Sequence, residues 1–207
     1  RFDALGASAN AFTSFDKTAY YFSCTENFSE ALEVLLDFVT TPYFIGSSVR
    51  RERGIIAEEL RMYRDSPEWI VTANLLQAMY HAHPVRVDIA GTEESIAEID
   101  AALLRRCYDR FYRAQNMVLS VAGCFDEEAV LEAAEKFFPA GKPAVRPLPI
   151  EEPRTVRERY HEQKMPIAAP MFQIGFKAVG GEKENMRHRL LDELLLDLIC
   201  GETTDLY

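Results

Sequence analysis

An α+β fold, an antiparallel sheet with helices packed on one face, is what the sequence predicts. Three observations carry that expectation. Two β-rich runs with a two-residue polar connection open the chain. A series of capped segments with helical apolar spacing follows. Strand and helix signals are segregated, where a parallel βαβ sheet would alternate them.

The first run, Ala9 to Phe15, alternates small or polar residues with larger ones, and the second, Thr18 to Cys24, is rich in aromatics. Aromatic and β-branched residues fit a pleated, half-buried surface, and Asp16-Lys17 between the runs makes a hairpin. Asn27-Phe28-Ser29 offers a helix start. Ala31, Leu32, Leu35, Leu36 and Val39 follow at helical spacing, and the helix stops before Pro42. Ser47 or Ser48 is a candidate cap for a helix from about Val49 to Tyr63. Pro67 suits the first turn of another, running to about Tyr80, which His81-Ala82-His83-Pro84 ends.

Gly91-Thr92 reads as a turn, with Thr92 or Ser95 capping a short helix through Ile99. Asp100 caps a helix to about Tyr112, and Asp126 caps one to Phe138. Between these two helices, the apolar run from Asn116 to Gly123 predicts a buried strand. Five of the ten prolines then fall between residues 139 and 153, an extended linker. Beyond it, Pro170 to Val179 predicts a strand and Glu184 to Ile199 an amphipathic helix, with Gly201 placed as its C-cap. Leu190, Leu191, Leu194, Leu195 and Leu198 on that helix need a partner surface. Gly180-Gly181-Glu182-Lys183 is a strand-to-helix turn, not a phosphate loop, because it lacks the second Gly-Lys-Ser/Thr.

The 207 residues carry 23 Lys and Arg against 33 Asp and Glu, a net charge of −10. A field of that sign repels phosphates and argues against a nucleic-acid partner. No apolar run approaches 18 residues, so no membrane-spanning helix is expected. Cys24, Cys107, Cys124 and Cys200 lack the close spacing of a thiolate metal site. Scattered single cysteines suit a reducing, cytoplasmic compartment.

The segment Arg50 to Tyr63 holds the chemistry. At about 100° per residue, Glu52 and Glu59 lie about 20° apart on the helix surface and roughly 10 Å apart along its axis. Ile56 and Tyr63 share that stripe, while Glu58 points about 100° away. Two carboxylates so separated cannot both bind one metal ion, but one can ligate while the other orients a neighbouring ligand. On the helix alone, exposed Glu and Arg pairing at i,i+3 or i,i+4 is the better account of these charges, because the spacing is not specific.

Context decides between the two. Gly6-Ala7-Ser8-Ala9-Asn10-Ala11-Phe12-Thr13-Ser14, with Asp16 and Thr18-Ala19-Tyr20 after it, resembles the strand following the zinc helix in insulinase/pitrilysin-type (inverzincin) peptidases. Arg51-Glu52-Arg53-Gly54-Ile55-Ile56-Ala57-Glu58-Glu59 is similar to that family's Glu-x6-Glu helix. His83-Pro84, Gly91-Thr92, Asn116 to Asp126, and Gly201 to Tyr207 resemble its later landmarks, in order. The ordered set spans nearly the whole chain and is most similar to the bacterial processing-peptidase-like branch.

The resemblance implies a two-repeat metallopeptidase-like domain, incomplete at both ends. Residues 1–138 would be the remainder of the first repeat, 139–160 a Pro-rich linker, and 161–207 the start of the second. It implies that Glu59 is the third zinc ligand and Glu52 the supporting carboxylate behind the ligands. Asn10, Ala11 and Phe12 would lie on the edge strand that takes up an extended peptide by β-augmentation. The expected activity is that of a zinc-dependent endopeptidase acting on peptides or unfolded protein. The remaining halves of the same protein, or a homologous subunit, would be its partners.

One departure is large. The His-x-x-Glu-His motif, source of two ligands and the general base, is absent. The histidines, His81, His83, His161 and His188, offer no His-x-x-x-His spacing. The expectation is therefore a chain truncated before that motif, inactive by itself and without tightly bound zinc. The alternative is a non-catalytic homologue that binds peptides or serves an active partner. An unrelated α+β binding domain does not account for the ordered landmarks.

Overall fold

The computed structural model describes residues 1–138, 150–177 and 185–201. The hairpin forms as the aromatic runs dictate. β1 (Ser8–Thr13) pairs antiparallel with β2 (Thr18–Ser23), in register from Ser8 opposite Ser23 to Thr13 opposite Thr18. The Ser14 amide closes the turn on the Lys17 carbonyl at 2.8 Å. Seven α-helices follow among the described residues: α1 (Phe28–Thr40), α2 (Gly46–Arg64), α3 (Pro67–Met79), α4 (Glu93–Ala97), α5 (Ala101–Phe111), α6 (Glu127–Phe137) and α7 (Asn185–Cys200).

Helix starts follow local chemistry. Ser66 accepts from the Trp69 amide with Pro67 in the first turn, as expected of a proline whose missing N–H has no helical partner there. Thr92 and Ser95 form a reciprocal capping box after Gly91, whose φ of +78° suits a residue without a Cβ. Asp100 and Asp126 each cap their helix by accepting a backbone N–H. α2 departs from expectation. It begins at Gly46 with Ile45 in the cap position, and neither Ser47 nor Ser48 caps it.

The core lies between hairpin and helices. Leu32 and Leu36 of α1 meet Val130 of α6, with Phe22, Phe28, Val121 and Phe137 packed around them. The Tyr20 and Tyr112 hydroxyls hydrogen-bond at 2.6 Å, and Tyr108 donates to the Val39 carbonyl at 2.7 Å, tying α5 to β2 and the end of α1. Leu36→Ala is expected to destabilise the protein by about 2–5 kcal/mol, the range for emptying a fully buried leucine site. Urea unfolding would register this as a lower midpoint with an unchanged slope.

Two expected strands are not formed among the described residues. Met117 is extended (φ −124°, ψ 154°), but the run after it joins no ladder and Val118 is 93% exposed. Residues 171–177 run along α3 rather than in a sheet. Gln173 donates to the Thr72 hydroxyl and Lys177 to the Met79 carbonyl, leaving Phe172, Ile174 and Phe176 facing outward. An apolar run sets a strand's face, but only a neighbouring backbone makes it a strand. The Pro-rich stretch 139–149, the Gly180–Lys183 turn and residues 202–207 lie outside the described residues. α7 forms where expected. Its apolar residues Leu190, Leu191, Leu194, Leu195 and Leu198 are all exposed, and a Cβ at Gly201 would collide with the Asp197 carbonyl.

Candidate functional site

α2 has two faces of different character. Val49 and Leu60 are buried where α2 packs on α3 and α4. Arg53 donates to the Ala97 carbonyl at 2.6 Å, and Arg61 and Arg64 reach Glu93 at 3.2 and 3.4 Å. These bonds fix the helix from one side. The flank away from these arginines carries Glu52, Ile55, Glu59 and Met62, with Ile56 between it and the buried face, and all five are exposed. A helix with a polar and charged clasp on one side and carboxylates among bare apolar side chains on the other presents those carboxylates outward.

Neighbouring acids on α2 are used differently. Glu58 is taken up by Arg61 at 2.6 Å. Among the described residues, Glu52 has only its chain neighbour Arg51 as a charged contact, at 3.7 Å. Glu59 accepts a 2.6 Å hydrogen bond from the Tyr63 hydroxyl on Oε1, and that bond to a carboxylate pushes the Tyr63 phenol above its ordinary value. Oε2 of Glu59 has no protein partner among the described residues.

Tyr63 is itself held. Its ring stacks on Trp69 with centroids 4.4 Å apart and planes 13° apart. The Trp69 indole donates to Asp88 at 2.8 Å, and Asp88 also accepts from the Ala90 amide at 2.9 Å. Tyr63 stands four residues after Glu59, so its reach to Glu59 was available from helical spacing. The Trp69 and Asp88 links are non-local and had no sequence signal.

Asn10, Ala11 and Phe12 lie on β1, opposite Tyr21, Tyr20 and Ala19. All three are exposed, and the other edge of β1 has no ladder partner among the described residues. The Asn10 side chain accepts from the Ala11 amide at 2.8 Å, and the Phe12 ring lies 6.3 Å from Tyr21. β1 packs through β2 on α1, whereas α2 packs on α3 and α4. The strand and the two glutamates thus belong to different packing groups.

Catalytic zinc takes three protein ligands and an open position. Among the described residues, no three His, Cys, Asp or Glu side chains come together as a metal site. The Glu59 carboxylate, open on Oε2 among the described residues, is of the donor type such a site uses. Two of the histidines make local contacts. His83 Nδ1 accepts from the Val85 amide, and His161 lies 3.6 Å from Glu158.

Comparison with known proteins places these features. Residues 1–93 match the family model for insulinase (peptidase family M16), and residues 98–207 match that for the M16 inactive domain. The chain is 40% identical, over its whole length, to half of YmfH, an uncharacterized zinc protease of Bacillus subtilis. It is 29% identical over 72% of its length to the beta subunit of the mitochondrial-processing peptidase of Saccharomyces cerevisiae, covering 33% of that protein. The fold superposes on the crystal structure of an M16-like peptidase from Alicyclobacillus acidocaldarius with a TM-score of 0.71. There the identity is 44%, over 77% of this chain and 38% of that one. The chain spans half or less of the length of the curated relatives it matches. With both family models matched in succession and the hairpin, helix and carboxylate pair in place, the chain belongs to the insulinase (M16) peptidase family.

Proposed function

We propose that these residues are part of a zinc-dependent endopeptidase in which Glu59 is one metal ligand. The observation that carries this reading is the exposed Glu59 carboxylate on α2, one oxygen held by Tyr63 and the other without a partner among the described residues, inside the segment matched by the insulinase model. Zinc bound there would supply Lewis-acid activation of a water and of the scissile carbonyl. Its remaining ligands and the general base would come from a His-x-x-Glu-His sequence outside these 207 residues.

The roles of this chain's own residues follow from position. Glu59 supplies negative charge to a cation at the exposed face of α2. Glu52, one stripe position earlier, orients a neighbouring ligand without binding the metal. Asn10, Ala11 and Phe12 offer the open edge of β1 to an extended peptide or unfolded segment. A main-chain ladder there gives affinity with little demand on sequence. Residues 1–138, the linker 139–160 and residues 161–207 are the working division, with the rest of the protein or a homologous subunit as partner. The four cysteines stand as free thiols, which supports a cytoplasmic setting.

The second reading is a non-catalytic homologue that binds peptides for an active partner. The match of residues 98–207 to the model described as the M16 inactive domain is compatible with it. One experiment separates the two readings: zinc content and peptide cleavage of the protein made from its whole gene, before and after chelator treatment. Stoichiometric zinc, with cleavage lost on chelation and restored by zinc, is the expected result. A folded protein without zinc and without cleavage would establish the second reading.

A further inference from the structure

We infer that Tyr63 is a positioning residue for Glu59, holding one carboxylate oxygen so that the other faces the metal. The inference rests on the reading of Glu59 as a ligand. A glutamate on an exposed helix face has three side-chain torsions to lose when it binds an ion, and a partner that fixes them beforehand removes part of that cost. The Tyr63 hydroxyl does this with a 2.6 Å charge-assisted bond to Oε1.

Tyr63 is suited to this because it is restrained in turn. Its ring lies flat on Trp69 at 4.4 Å. Trp69 belongs to α3, and its indole is fixed by Asp88 at 2.8 Å in the loop beyond. The Asp88 carboxylate is fixed by the Ala90 amide. The order is therefore Asp88, Trp69, Tyr63, Glu59, from α3 and its following loop onto the exposed stripe of α2.

The chemistry of the four groups fits support of a metal ligand better than support of the fold. A hydrogen bond on an exposed surface adds little to stability, because water competes for both partners. A hydrogen bond to a ligating carboxylate, by contrast, fixes its orientation and its basicity. Glu52, seven residues earlier on the same stripe, has no such aromatic partner among the described residues and pairs there with Arg51. The difference between the two glutamates marks Glu59 as the one built to coordinate.

The test uses the protein made from its whole gene, with Tyr63→Phe beside Glu59→Gln. Zinc affinity is measured by competition with a chromophoric chelator, the visible bands of the cobalt(II) form are recorded, and thermal melting is followed in parallel. Phe keeps the ring on Trp69 and deletes only the hydroxyl. Tyr63→Phe is expected to weaken zinc binding roughly 10–100-fold, to shift the cobalt bands, and to leave melting unchanged. Unchanged zinc affinity in Tyr63→Phe, with binding lost in Glu59→Gln, would overturn the role of Tyr63 and leave Glu59 a ligand. Zinc affinity unchanged in Glu59→Gln would remove the ligand reading and this inference with it. Weakening that only accompanies a lower melting temperature would assign Tyr63 to the fold instead.

Discussion

Glu59→Gln, in the protein made from its whole gene, is expected to abolish stoichiometric zinc and reduce peptide cleavage by about three orders of magnitude. That loss corresponds to about 4 kcal/mol of transition-state stabilisation. The substitution is close to isosteric, and the amide oxygen still accepts from Tyr63, so the fold is not the quantity being changed. An exposed helix position of this kind tolerates the exchange to within about 0.5 kcal/mol of stability. What disappears is the negative charge that a zinc ligand of this type contributes.

Two neighbours make the test specific. Glu58→Gln is expected to leave cleavage essentially unchanged, because Glu58 is engaged by Arg61 on the side of the helix. Glu52→Gln should fall between them, about 10–100-fold down, as a group that orients a ligand from behind. Cleavage and metal content of the three variants, measured together, give the order. If Glu58→Gln proved as damaging as Glu59→Gln, the effect would belong to the charge of the helix as a whole, and the assignment of Glu59 would fall.

The sequence makes local features legible and non-local ones opaque, and particular residues show why. The caps at Thr92, Asp100 and Asp126 were readable because a cap is a bond between a side chain and an amide two or three residues on. The core positions Leu32 and Leu36 were readable from their four-residue spacing. The start of α2 was not, since Ile45 occupies the cap position without a side-chain bond and tertiary packing sets the boundary. The runs at 116–123 and 170–179 carried the right apolar pattern for strands. Their conformation depends on a partner backbone that no local pattern encodes.

The candidate site divides in the same way. The common stripe of Glu52 and Glu59 follows from helical periodicity, and both are exposed on it. The motif resemblance that singled out this stripe agrees with the matched family. The stacking of Tyr63 on Trp69 crosses from α2 to α3, and the Glu152 contacts bridge about seventy residues of sequence. Neither leaves a trace in composition or spacing.

That bridge gives the second large expected effect. Glu152→Ala should lower the melting temperature by roughly 5–10 °C, more than Lys177→Met does. The Glu152 carboxylate accepts from three consecutive amides, those of His81, Ala82 and His83, at 2.9, 2.7 and 2.7 Å. Lys177 closes the cluster at 2.6 Å. The same ammonium reaches the Met79 and Thr155 carbonyls and lies 4.7 Å from the centre of the Tyr80 ring.

The two side chains are 13% and 9% exposed, so this is a largely buried pair with its hydrogen bonds filled. Removing the carboxylate strands three amides and an ammonium out of water. Removing the ammonium leaves the carboxylate on its amides, which is the smaller loss. Burial alone would raise the Glu152 carboxyl, but the amides and Lys177 outweigh it and hold it far below its ordinary value of 4.5. A group depressed in the folded state stabilises above its unfolded value and loses that contribution as pH falls below it. The gap in melting temperature between the unsubstituted protein and Glu152→Gln should therefore be full at neutral pH and shrink as pH drops from 5 toward 2. A gap that stayed constant across that range would show that Glu152 acts by shape and not by charge. Because α3 ends at this cluster and carries Trp69, which backs Tyr63 beneath Glu59, the same experiment asks whether the segment 150–177 steadies the helix that the candidate metal ligand depends on.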